Sequence, residues 1–254
     1  YRHVVNLPME QADHELGVFA NIFRLALLIT IMIQAFRMAA EPFFFKQSES
    51  QNAQQTYARV MKFFVIACCF MFLFIGLFLD VFKWVVVHFA NPRWAEGLQV
   101  VPLLALGNIF LGIYYNLSIW YKLTHKNILG AYITIAGAVI TIVLNVTLIP
   151  HLHYTGAALA TFCCYFFMMI MSYKLGQKYY PVPYPVKKLS LYIFIVVALY
   201  GIHWVVTLLL PGSLLFSIIA GLFLLAAFTR LIGFTEAKDL AKLPLVGKFY
   251  KPKA

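Results

Sequence analysis

Charged residues are scarce in this sequence. Asp, Glu, Lys and Arg make up only 11% of its 254 residues, against about 25% in an ordinary soluble domain. Apolar residues make up 63%, and the mean hydropathy is +0.83. Such a chain has too few polar side chains to cover a soluble globule. We therefore predict an all-α, polytopic membrane helix bundle, because helices satisfy their own backbone polar groups in lipid.

Cysteine and the motifs of catalysis are also scarce. The four cysteines form two adjacent pairs in apolar sequence, Cys68-Cys69 and Cys163-Cys164, without the spacing of a zinc site or a disulfide framework. There is no phosphate-binding loop, serine-hydrolase elbow or zinc-protease motif. We predict that the chain is not an enzyme and holds no metal and no cofactor.

Seven stretches are long and apolar enough to cross the hydrocarbon, which takes about 20 residues. They are 17–45, 60–81, 98–121, 128–149, 155–174, 189–210 and 213–232, with breakers such as NPRW at 91–94 and PHLHYTG at 150–156 between them. The predicted transmembrane bundle is thus 17–232. Residues 1–16 precede it as a loop, and 233–254 follow it as a basic tail that either lies on the membrane surface or is merely solvated.

Basic residues give this bundle an orientation. Fifteen Lys and Arg residues flank one set of helix ends and three flank the other, so the richer set is predicted to be cytoplasmic. The amino end of the chain then lies outside and the carboxyl end in the cytoplasm. Because the net charge of +11 is spread along these flanks, we predict membrane lipids and no nucleic acid as partners.

The first span is unusual because it contains charge. Only twelve uncharged residues, LALLITIMIQAF, separate Arg24 from Arg37. They would cover about 18 Å, which is too short for about 30 Å of hydrocarbon. At least one arginine is therefore carried towards or into the membrane. The alternative is that both arginines snorkel to opposite interfaces.

A polar stripe is predicted on the same helix. Thr30, Gln34, Arg37 and Glu41 are spaced i, i+4, i+7 and i+11, which is one helical face. Ionised side chains in a span usually pair with one another and face a bundle interior or a water-filled cavity, and the spacing allows Arg37 to pair with Glu41. Pro42 directly follows, so a kink or helix end is expected there.

Other polar side chains are secondary candidates. Asn21 and Arg24 share a face of the first helix about 140° from Arg37. Asn108 lies in the third span, where it either lines a cavity or forms an interhelical hydrogen bond. Asp80 and Lys83 are spaced for a local ion pair at an outer helix end.

Two stretches resemble a known family. LGVFANIFRLALLITIMIQAFRMAAEPFFFKQ at 16–47 is similar to the arginine-bearing helix and A-x-E-P-F element of bacterial polysaccharide-biosynthesis flippases, which belong to the multidrug/oligosaccharidyl-lipid/polysaccharide (MOP) exporter superfamily. LNVTLIPHLHYTGAALATFCCY at 144–165 resembles the same family's Asn, I-P and G-A-A-x-A-T pattern.

The resemblance implies a fold and a function. The chain would form the C-terminal lobe of a MOP/MATE-like two-lobe transporter in the cell inner membrane, with its amino end periplasmic and the N-terminal half of the same protein as its partner. It would flip undecaprenyl-diphosphate-linked oligosaccharide by alternating access. Arg24 and Arg37 would bind the head group, with Gln34, Asn21 and Asn108 as weaker contacts and Glu41 as a coupling or ion-pair residue.

Two alternatives stay open. A drug or cation antiporter of the same superfamily would need an acidic cavity, and intramembrane acids are few here. A membrane polymerase or ligase of lipid-linked sugars would be expected to have large outer loops, whereas the longest outer connection, about 82–97, is short.

Overall fold

The computed structural model describes residues 9–89, 92–210 and 213–241. Within these ranges, the side chains of 9–16, 21–27, 92–94, 238 and 240 are not described. The described residues form helices and no strand, so the fold is all-α. The helices are α1 Met9–Gln47, α2 Ala53–Leu77, α3 Leu79–Phe89, a 3-10 helix Pro92–Val100, α4 Val101–Leu117, α5 Ile119–Leu123, α6 Asn127–Tyr179, α7 Val186–Leu209, α8 Leu214–Thr235 and α9 Ala237–Leu240.

Six helical stretches in the described residues are long and apolar enough to cross a membrane: Leu28–Gln47, Ala53–Leu77, Ala95–Leu123, Asn127–Tyr179, Val186–Leu209 and Leu214–Thr235. The chain is accordingly a membrane helix bundle. The predicted loop 1–16 is helical from Met9, and the predicted tail 233–254 includes the end of α8 and all of α9. Residues 1–8 and 242–254 lie outside the described part.

Helix α6 accounts for the difference between seven predicted spans and six helices. It is 53 residues long, and His153 inside it has φ 51° and ψ −133°, which breaks the helix. A Cβ built on Gly156 would lie 2.7 Å from the carbonyl oxygen of Leu148, so the chain reverses around His153. Cys164 lies against Gly137, its Sγ 3.2 Å from the carbonyl oxygen. The two arms of α6 are therefore an antiparallel hairpin that contains predicted spans 128–149 and 155–174.

The core lies between α2 and α4. Within their most apolar windows, 67% of the α2 residues and 83% of the Ala95–Leu123 residues are buried, against 17–22% for the other four stretches. Gly112 of α4 permits this packing, because a Cβ there would lie 2.7 Å from Phe64 and 3.2 Å from Ile33. Helices α1, α6, α7 and α8 therefore pack around a central α2–α4 pair.

Contacts between distant residues divide the bundle into two ends. Glu41 forms an ion pair with Lys122, and Lys62 forms one with Glu236. Trp120 donates a hydrogen bond to Ser172. These contacts bring together the connections 48–52, 124–126 and 180–185 and the end of α8, which we call the lysine-rich end. At the opposite end, Ser217 of α8 contacts Asp80 of α3.

Tyr57 secures the turn between α1 and α2. Its hydroxyl donates a hydrogen bond of 2.8 Å to the carbonyl oxygen of Phe44, one of the last four carbonyls of α1, which have no partner within the helix. We expect Tyr57→Phe to lower the free energy of unfolding by about 1 kcal/mol, measured by SDS titration in detergent micelles. Tyr132→Phe is the control, since Tyr132 is 60% exposed and should show no change.

Candidate functional site

The polar stripe of α1 runs along the edge of its packed face. The buried side chains of this helix include Ile29, Ile33, Ala40 and Phe44, which repeat at helical spacing. Thr30, Gln34, Arg37 and Glu41 lie beside them and are half-buried. The stripe therefore faces neither the centre of the core nor the fully exposed apolar side of α1.

Two cations surround one carboxylate in this stripe. Arg37 Nε lies 3.2 Å from Glu41 Oε1, the pair that the i,i+4 spacing predicts. Lys122 Nζ, from α5, lies 2.5 Å from the same oxygen. The Arg37 guanidinium also lies over the Tyr115 ring, 4.8 Å from its centroid. We call Arg37, Glu41 and Lys122 the charged cluster; its formal charge is +1.

A buried amide with an unused donor lies next to the charged cluster. Asn116 of α4 is only 5% exposed, and its Nδ2 has no hydrogen-bond partner. Asn116 lines a void of about 10 Å³ together with all three cluster residues. That volume suits about one water molecule. The cluster is therefore closed on its inner side, with no room there for a phosphate.

The outer side of the cluster is open. Arg37 has 41% of its side chain exposed and Glu41 34%, and both lie between strongly exposed apolar neighbours such as Met38 at 78%. Arg37 is ten residues, about 15 Å, from the end of α1. Arg37 and Glu41 lie inside the candidate span Leu28–Gln47, where charged side chains are costly against lipid. This surface therefore suits an aqueous cavity or another protein surface.

The remaining predicted site residues fall into three groups. Asn108 is buried, and its Oδ1 accepts a 3.3 Å hydrogen bond from Thr30, which is the interhelical alternative rather than a cavity wall. Pro42 does not end α1, which continues to Gln47. Asn21 and Arg24 belong to α1, but their side chains lie outside the described residues.

A second charged group was not predicted. Lys62 of α2 is 7% exposed and forms ion pairs with Glu236 and Asp239. Glu236 is 3% exposed and also accepts hydrogen bonds from Tyr192 Oη at 2.6 Å and from Lys188 Nζ at 3.2 Å. The only sequence signal was that Glu236 and Asp239 share the i,i+3 spacing of Arg59 and Lys62.

The pKa of Glu236 reflects this environment. Burial by itself would raise the pKa of the carboxyl, but the hydrogen bonds from Lys62 and Tyr192 and the charge of Lys62 outweigh it. The pKa therefore lies below its ordinary value, and Glu236 is an anion at neutral pH. The group ties the end of α8 to α2 across 174 residues of sequence.

Comparisons with known proteins do not assign this bundle to a family. The sequence matches no protein-family model and no curated protein.

Proposed function

We propose that the chain is part of a transporter that flips an undecaprenyl-diphosphate-linked oligosaccharide across the cytoplasmic membrane. The observation that supports this most is the charged cluster, which carries an excess of positive charge on an open surface within the candidate spans Leu28–Gln47 and Ala95–Leu123. A diphosphate head group needs such a site, because its charge must be matched while it crosses the hydrocarbon.

The chemistry of the cluster favours an anion. Arginine can donate two parallel hydrogen bonds to phosphate oxygens, and Glu41 uses only one of the guanidinium nitrogens of Arg37. Lys122 adds a second cation, an ammonium, within reach. A cationic drug would find the single carboxylate already bound by two cations. The cluster thus supports an anion transporter over a cation antiporter.

In an alternating-access cycle, the contacts within the charged cluster would change when the substrate binds. The Lys122–Glu41 contact joins α1 to α5, and a phosphate that took over Lys122 and Arg37 would release Glu41 from that contact. Pro42 follows Glu41 directly and leaves the Met38 carbonyl without its helical donor, so α1 can bend at this point. In this proposal the lysine-rich end is cytoplasmic, and the N-terminal half of the same protein covers the open side of the cluster.

Arg37→Ala and Lys122→Ala test the proposal. Each removes one charge-assisted contact worth about 1.5–3 kcal/mol, so we expect translocation of a fluorescent lipid-linked oligosaccharide in reconstituted vesicles to fall about tenfold to a hundredfold. Arg37→Lys should recover only part of the rate, because an ammonium lacks the planar fork.

Lys46→Ala is the matched control, since it removes an exposed cation from the last turn of α1 at the same end of the bundle. It should leave the rate unchanged. Full translocation by Arg37→Ala would refute the head-group role. In cells, depletion of the protein should leave lipid-linked units on the inner leaflet, whereas loss of a polymerase would let single units reach the outside.

A further inference from the structure

A large open cavity, lined by both polar and apolar side chains, lies at the end of the bundle opposite the lysine-rich end. It has a volume of about 970 Å³ and is bounded by α3, the 3-10 helix and α4 on one side and by α6 and α7 on the other. A second cavity of about 620 Å³ adjoins it between α3, α7 and the start of α8. Asp80, Lys83 and Trp204 line both cavities, which we call the paired chambers.

Aromatic rings form platforms in the paired chambers. Trp204 is 56% exposed and stands between the two cavities, so its indole can be approached from either one. Tyr200 lines the larger chamber one helical turn away and is held in place, because Gly76 leaves room for its ring and Phe72 packs against it at 6.1 Å between centroids. A third ring, Tyr154, comes from the α6 hairpin.

Hydrogen-bonding groups surround these rings. The Asp80 carboxylate accepts a 2.6 Å hydrogen bond from the hydroxyl of Ser217, which holds it in one orientation and leaves its other lone pairs available. Among the described residues Asp80 makes no ion pair with Lys83, the pairing that their spacing suggested. The larger chamber adds the exposed Glu96 and Gln99, and the Gln99 amide reaches the Tyr154 hydroxyl at 3.5 Å.

We propose that the paired chambers bind a saccharide chain. Sugar rings present an apolar C–H face that packs on an aromatic ring, and a rim of hydroxyls that donate to carboxylates and accept from amides. The chambers combine both features, and their size lies in the range of small-molecule sites, about 300–1,000 Å³ each. Trp204 would serve as the stacking platform, with Asp80, Glu96 and Gln99 bonding hydroxyls.

The charge of the paired chambers indicates which class of saccharide they would bind. Their described lining has two carboxylates, Asp80 and Glu96, against one ammonium, Lys83. A neutral saccharide, or one with amino groups, suits this balance, whereas a uronic acid chain would be repelled. Interfacial aromatic residues are common in membrane proteins, but a belt of such residues facing anionic lipid would not be expected to include two carboxylates.

This inference rests on the proposed function, because it identifies the ligand of the paired chambers as the glycan part of the transported lipid. It adds a contact at the end away from the charged cluster, where the saccharide would be held separately from the diphosphate. The two ends then divide the substrate between them: cations bind the phosphates, and aromatic and acidic groups bind the sugars.

Soluble tetrasaccharides that lack both lipid and diphosphate test the chambers alone. Chitotetraose (neutral) and tetragalacturonate (acidic) would be added to the protein in lipid nanodiscs, with binding followed by saturation-transfer NMR. We expect chitotetraose to bind and tetragalacturonate to bind at least tenfold more weakly. Trp204→Ala should weaken chitotetraose binding at least tenfold, and Trp204→Phe should retain part of it.

Two further variants make the test specific. Asp80→Asn with Glu96→Gln should reduce the discrimination against tetragalacturonate, and Phe234→Ala, an 89% exposed residue at the lysine-rich end, should change nothing. Equal binding by Trp204→Ala and the wild type, or no binding of chitotetraose, would overturn the inference. Arg37→Ala should keep soluble saccharide binding while losing translocation, so a failure of the charged cluster is distinguishable from a failure of the chambers.

Discussion

Replacing Lys62 by methionine is expected to lower the free energy of unfolding by about 3–5 kcal/mol. Methionine has a similar length and fills the same space, so the loss comes from charge and not from a cavity. Glu236 would keep a carboxylate that is 3% exposed without its main cation. Lys188 could compensate only in part, because its side chain is 56% exposed and contacts the other carboxylate oxygen.

Comparison with related variants separates this network from general packing. Arg59→Met removes an exposed cation one turn away on α2 and should change the unfolding free energy by less than about 0.5 kcal/mol. The triple variant Lys62→Met, Glu236→Gln and Asp239→Asn should recover most of the loss, since it leaves no uncompensated buried charge. SDS titration of the four proteins in bicelles measures these differences. Equal effects of Lys62→Met and Arg59→Met would refute the network.

The same network predicts an acid sensitivity. Because the pKa of Glu236 is lower in the folded protein than the ordinary value of 4.5, its contribution to stability is complete above about pH 4.5. That contribution is lost as the pH falls through the folded-state pKa. Unfolding free energies measured between pH 6 and pH 3 should therefore fall more steeply for the wild type than for Glu236→Gln.

This network also shows what sequence reasoning could not reach. Composition alone predicted an all-α membrane bundle, because apolarity and span length depend only on neighbouring residues along the sequence. The sequence counts Lys62 among the fifteen Lys and Arg residues that flank one set of helix ends, because the second span is predicted to begin at 60. In the structure α2 begins at Ala53 and places Lys62 within the helix. Its partners are 174 and 177 residues away, and no local pattern connects them.

For the same reason, only part of the charged cluster could be predicted from the sequence. The Arg37–Glu41 pair follows from i,i+4 geometry within one helix. Lys122, 81 residues from Glu41, and the buried amide of Asn116 belong to other helices, and their approach depends on how α1 packs on α4. For Asn108 the sequence allowed either a cavity wall or an interhelical hydrogen bond. Packing of α1 on α4 gives it the hydrogen bond, with Thr30 as the partner.

The second prediction with a large expected effect on stability concerns the α6 hairpin. Gly156→Ala is expected to lower the free energy of unfolding by about 1–3 kcal/mol or more. The new methyl group would lie 2.7 Å from the Leu148 carbonyl oxygen and 3.0 Å from the Ile149 nitrogen. These are backbone atoms of the opposite arm, which cannot rotate away as a side chain can, so the two arms must separate or the reversal at His153 must shift.

Two other glycines supply graded controls for this prediction. At Gly137 an added methyl group would meet the sulfur of Met168 at 2.8 Å, and this flexible side chain can move, so Gly137→Ala should cost less than Gly156→Ala. At Gly201 nothing lies within 4 Å, and Gly201→Ala should stabilise α7 by up to about 1 kcal/mol through helix propensity. SDS titration should therefore rank the variants Gly156→Ala, Gly137→Ala and Gly201→Ala from least to most stable. If Gly156→Ala were as stable as Gly201→Ala, the two arms of α6 could not be in backbone contact at this turn, and the close small-residue packing of the G-A-A-x-A-T stretch would need another explanation.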